Sequence, residues 1–165
     1  MPVIDIKKDP EALTLTLIAE FDASVERVWQ IWEDPRQLER WWGPPSYPAT
    51  FPRHDFVVGG RSNYYMTGPD GDQLRGWWTI EALEPPTRIQ FLDGFADEDW
   101  APSEIAKPTR GVVTLEDVGG KTRMTSVNYF PDLETLEQLS DMGMEEGTRA
   151  AAGQIDGLLA SEPAR

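Results

Sequence analysis

Cysteine is absent from all 165 residues, which excludes disulfides, thiolate nucleophiles and cysteine-ligated metals. Histidine is nearly as scarce. His54 stands alone, so the imidazole and thiolate ligands of a zinc site are missing too. No apolar run approaches the ~20 residues that cross a bilayer, and the opening MPVIDIKKDPEA lacks a signal-type hydrophobic block, so a cytoplasmic protein is expected. Basic charge is also in short supply: 15 Lys and Arg oppose 29 Asp and Glu, a formal net charge of −14. Nucleic acid and anionic membranes draw proteins in through basic residues, so neither is expected as a partner. The excess acid reads as a solubilising surface.

Several chemical signatures are missing as well. There is no G-x-S-x-G elbow, and Gly59-Gly60 and Gly119-Gly120 read as strand turns rather than phosphate-binding loops. Asp97, Glu98 and Asp99 cluster without EF-hand spacing, so no metal is expected there, and no cofactor is expected at all.

What is present is the pattern of a globular domain. Hydrophobic residues make up 39% and charged residues 27%, enough apolar side chain for a real core. Without a repeat or linker, one domain is expected over 1–165, with its core at about 11–160. Leu13, Leu15, Leu17, Ala19 and Phe21 alternate strictly, the mark of a half-buried strand. Val25, Val28, Trp29 and Trp32 then follow helical spacing, with Ser24 placed to cap. Asp34, Pro35 and Gln37 have the form of a second helix start. That helix would carry Leu38, Trp41 and Trp42 on one face and stop at Gly43, because Pro44 and Pro45 cannot extend it. From Thr50 to Phe130 the chain alternates β-like runs with turn signals, an antiparallel meander. Asp132 to Ala160 returns to helical period, with Met144, Thr148, Ala151, Ile155 and Leu158 in one stripe. Gly143, Gly147 and Gly153 interrupt it, which suggests close packing, a break, or space left open.

The stretch FDASVERVWQIWEDPRQLERWWGP, with VGGRSNYYMTGPDG, EPPTRIQFLDGF and GVVTLEDVGGKTRMT further on, resembles proteins related to the activator of Hsp90 ATPase, within the START/Bet v 1-like superfamily. The resemblance runs from about Leu13 to Leu159. It implies an α+β helix-grip fold: a curved antiparallel β-sheet wrapped around a long C-terminal helix, with two short helices after the first strand. It also implies an elongated cavity between sheet and helix, closed at one end by the short helices, with Trp41 and Trp42 as the stopper or as plain packing at that junction. Where relatives commonly carry aromatics this chain has Ser62 and Thr148, followed by the small Ala151, Ala152 and Gly153. Trp77 and Trp78 stand where smaller residues are usual. Either the core is repacked at constant volume or the cavity is reshaped around a tryptophan wall.

Three functions follow as expectations. In the first, a small hydrophobic or aromatic molecule binds in the cavity, lined by Trp41, Phe56, Ser62, Tyr64, Met66, Trp78, Ile80, Phe91, Thr148 and Ala151. His54 and Tyr64 supply the polar points. In the second, of the polyketide cyclase/aromatase kind, His54 is the candidate catalytic acid–base group; the alternative is a buried histidine with both nitrogens satisfied. In the third, implied by the family name alone, the protein acts on Hsp90, but the extra N-terminal domain of such relatives is not expected here. The 96–108 segment, with Trp100 as its apolar contact, could serve as a lid. A homodimer is a further possible partnership.

Overall fold

The computed structural model describes residues 3–161; the expectation that the domain reaches residues 1–2 and 162–165 lies outside them. Eight strands form a single antiparallel sheet: β1 (Val3–Asp9), β2 (Thr14–Phe21), β3 (Ala49–His54), β4 (Arg61–Thr67), β5 (Gln73–Glu84), β6 (Arg88–Phe95), β7 (Thr109–Val118) and β8 (Lys121–Tyr129). They are ordered β1-β2-β8-β7-β6-β5-β4-β3. The helix-grip architecture expected from the sequence is the one observed, a curved sheet with helices against its concave face.

The strand read from the alternation at Leu13–Phe21 is the second strand, not the first. Ahead of it lies β1, an edge strand carrying Asp5, Lys7 and Lys8 exposed, the kind of charged edge that resists further pairing. Leu15, Leu17, Ala19 and Phe21 of β2 are buried, as their period requires.

Because β2 and β3 sit far apart in the sheet order, the chain between them must cross the concave side. It does so as α1 (Val25–Glu33) and α2 (Pro35–Leu38). Ser24 Oγ accepts from the Arg27 amide at the start of α1. Asp34 caps α2, its carboxylate accepting from the Arg36 amide and the Gln37 side chain; its own amide donates to the Gln30 carbonyl, so the expected reciprocal box with Gln37 does not form. Leu38 and Trp41 are buried, and the Trp41 indole donates to the Ile31 carbonyl at 3.0 Å, locking the two helices together. Trp42 packs on Trp41 and reaches Trp78 and Phe91 of the sheet.

The C-terminal helical stretch is not one continuous rod. It runs as α3 (Leu133–Asp141), α4 (Met144–Ala152) and α5 (Ile155–Ser161). Gly143 takes φ +88° between the first two, a left-handed conformation that favours glycine. At the second break Gln154 donates to the Gly43 carbonyl at 2.7 Å, tying the helices to the tryptophan corner. The stripe still faces the sheet: Ala151, Ala152, Ile155 and Leu158 are buried.

Candidate functional site

On the concave face, residues of one phase converge: Ser62, Tyr64 and Met66 of β4, Gly76 and Trp78 of β5, Phe91 and Asp93 of β6. Glycines stand directly across from two of the rings. Tyr64 pairs with Gly76 and Phe91 with Gly111, and a Cβ on either glycine would run into the facing ring. Each aromatic thus lies flat along its neighbour strand, an arrangement possible only where that neighbour has no side chain.

One end of this face is solid. Trp78 is fully buried and stacks on Phe91 with centroids 4.4 Å apart, and Trp42 meets Trp78 edge-on at 4.8 Å. Trp32 and Phe51 complete the layer. Ser62 lies across from Trp78 in the ladder and is fully buried.

Toward α3 and α4 the face is not filled. A cavity of about 300 Å³ opens between the sheet and these helices. Of the residues singled out in the sequence, Trp41, Tyr64, Met66, Phe91, Thr148 and Ala151 line it. His54, Phe56, Ser62, Trp78 and Ile80 do not: they belong to the packed layer beside it or to its edge. Phe56 lies beyond the end of β3, edge-on to Trp29, and Ile80 is 1% exposed within the core.

His54 has a definite job outside the cavity. Its Nε2 lies 2.9 Å from the Trp32 carbonyl and its Nδ1 2.7 Å from Ser62 Oγ. A carbonyl can only accept, so Nε2 carries the proton, and Nδ1 accepts from the Ser62 hydroxyl. Burial holds this imidazole below its ordinary pKa, with the Trp32 carbonyl opposing. Both nitrogens are taken, and the ring bolts α1 to β3 and β4.

The carboxyl on the cavity wall belongs to Asp93. Tyr64 Oη donates to Asp93 Oδ1 at 2.8 Å, and both side chains line the cavity. Asp93 is half-buried and lines the cavity. Burial pushes its carboxyl up to about 7, against the pull of the Tyr64 hydrogen bond. Burial and the Asp93 charge in turn raise the Tyr64 phenol well above its ordinary value, so Tyr64 stays the donor. The sequence carried the signal for Asp93: in RIQFLDGF it shares the inward phase of Ile89 and Phe91.

The rest of the wall is soft and apolar. Met66, Met124, Met142 and Met144 all line the space, together with Phe95 and Phe130. Only one other methionine, Met1, exists in the chain. Unbranched thioethers adapt to the shape of whatever they enclose. Ser126 and Asn128 of β8 add polar atoms to the floor. In the 96–108 segment, Asp97 accepts from the Asp99 and Ala101 amides and so shapes its own turn. The Arg75 guanidinium lies over the Trp100 ring, 4.7 Å from the ring centroid, and Trp100 is not among the residues that line the cavity.

Comparison with known proteins agrees with this fold. The family model described as "Activator of Hsp90 ATPase homolog 1-like protein" matches residues 22–160. A solution structure of a protein from Arthrobacter aurescens is 53% identical with a TM-score of 0.93, covering 99% of this chain and 94% of that one. A crystal structure of a protein from Mycobacterium smegmatis is 49% identical with a TM-score of 0.90, covering 99% and 100%. A Staphylococcus epidermidis protein, 23% identical with a TM-score of 0.83 over 98% and 97% of the two chains, shares the fold. No curated protein matches the chain.

Proposed function

This chain belongs to the activator of Hsp90 ATPase homolog 1-like family, and we propose that it is a small-molecule-binding domain holding a hydrophobic or aromatic ligand between its sheet and C-terminal helices. The observation that carries this reading is the open space at Thr148 and Ala151, where α4 offers small side chains to the sheet. Its volume of about 300 Å³ suits a compact ligand, at the small end of the ~300–1,000 Å³ typical of such sites. Aromatic and thioether walls with few polar groups favour apolar bodies with one or two anchoring atoms. A histidine with both nitrogens engaged lends no support to turnover centred on His54.

Filling the space tests the reading. A thermal-shift panel of small aromatic and aliphatic compounds on the wild-type protein is expected to yield stabilising ligands. Thr148→Phe is expected to stay folded, with its melting temperature unchanged or raised, and to lose those shifts. A Thr148→Phe protein destabilised by the ~1–3 kcal/mol of an overpacked core, or one that keeps the shifts, would contradict it.

A further inference from the structure

We propose that the cavity selects ligands bearing a protonated amine, with Asp93 as the counter-ion and the rings of Trp42, Tyr64 and Phe91 around the cationic head; this rests on the reading of the cavity as a ligand site. Asp93 carries the one carboxyl among the residues that line this space, and no cation of the described residues pairs with it. The two basic residues that line the same space are engaged elsewhere. Arg75 lies over Trp100 and donates to the Glu98 carbonyl at 3.1 Å, and Lys107 pairs with Asp132. Tyr64 Oη occupies Oδ1 at 2.8 Å, while Oδ2 receives no hydrogen bond from any described residue. Crowding a carboxylate with protein while it lacks a cationic partner is costly, and burial is the main cause of its raised proton affinity. A protonated amine would supply both the missing charge and the missing N–H donor.

The surroundings favour a cation over a neutral donor or an anion. Trp42 stands edge-on to Tyr64 at 5.9 Å and to Phe91 at 6.2 Å. Trp42, Tyr64 and Phe91 all line this part of the space, and aromatic rings attract cations and disfavour anions at their faces. The net charge of −14 concentrates cations near the protein before any contact forms. A protonated Asp93 could alternatively donate to a ligand carbonyl or carboxylate, and the experiment below separates these cases by sign.

Three probes of one shape are titrated by tryptophan fluorescence: 4-phenylbutylamine, 4-phenylbutan-1-ol and 4-phenylbutyrate. At pH 7.5 the amine is expected to bind at least ~10-fold more tightly than the alcohol, with the acid weakest. Asp93→Asn is expected to abolish the preference while keeping alcohol binding, which also shows the cavity intact. Tyr64→Phe leaves the carboxylate in place and is expected to keep the preference. Below pH 7 amine affinity is expected to fall ~10-fold per pH unit, because the ligand must displace a proton from Asp93, while alcohol affinity stays flat. Equal binding of amine and alcohol, tighter binding of the acid, or a preference that survives Asp93→Asn overturns the proposal and leaves the cavity reading standing. Binding of none of the three removes both.

Discussion

His54 and Asp93 respond to pH in opposite directions because burial penalises whichever form carries charge. For His54 the penalised form is the cation, so its pKa is lowered. The unfolded chain then takes up a proton first as pH drops, and stability falls below the ordinary histidine value. For Asp93 the penalised form is the anion, and its pKa rises to about 7. Between about pH 4, where the unfolded carboxyl titrates, and about pH 7, the native state keeps a proton that the unfolded state has released. Stability from this group is therefore present below pH 4 and is lost as pH rises to 7. We expect a loss of about 2 kcal/mol, roughly half the value for a dry site, because the cavity admits water that screens the charge. Urea unfolding of wild type and Asp93→Asn at pH 4 to 8 isolates the effect. The variant should gain stability on wild type steadily up to pH 7 and hold that gain above it. Parallel curves would mean that Asp93 ionises freely.

Between neighbouring strands the architecture depends on rings lying where a side chain is missing. The Tyr64 ring covers Gly76, and a Cβ there would meet Cζ and Oη of the phenol. Gly76→Ala must push the ring off the strand and break its 2.8 Å contact with Asp93. A loss of about 2 kcal/mol in urea unfolding is expected, as for other overpacked cores. Gly157→Ala in α5, where an added Cβ meets nothing within 4 Å, should instead stabilise by up to about 1 kcal/mol through helix propensity. A Gly76→Ala protein as stable as wild type would show that the ring does not hold this position. Elements of this kind divide what the sequence discloses from what it hides. The caps at Ser24 and Asp34 and the alternation of β2 were legible, because local hydrogen bonding and one-sided burial write themselves into residue type and spacing. The edge strand β1 was not legible. Water covers much of it, so Asp5, Lys7 and Lys8 blur its alternation. Gly153 left a break, close packing and open space undecided, since the stripe from Met144 to Leu158 keeps facing the sheet on both sides of the break found there. Position in the cavity was harder still. His54 and Tyr64 both project from the sheet near the same layer, and only the three-dimensional course of α1 decides that the Trp32 carbonyl claims His54. Asp93 went unread because an acidic residue before a glycine resembles a turn, although its phase in β6 points inward.

At the scale of the molecule, a strongly acidic surface encloses one aromatic and methionine-rich space. Tryptophans sample the inside and outside of that space separately. Trp32, Trp41 and Trp42 line it, whereas Trp77 lies on the sheet's other phase, its indole donating to the Phe95 carbonyl, and Trp100 sits in the loop under Arg75. The chain has seven tryptophans, each with one indole N–H resonance. Titration with 4-phenylbutylamine, followed in ¹H–¹⁵N spectra, therefore reports directly whether a ligand enters between sheet and helices. The account predicts saturable shifts at Trp42 and its neighbours Trp32 and Trp41, with Trp77 and Trp100 unmoved. Shifts confined to Trp77 and Trp100, or none at any indole, would contradict it.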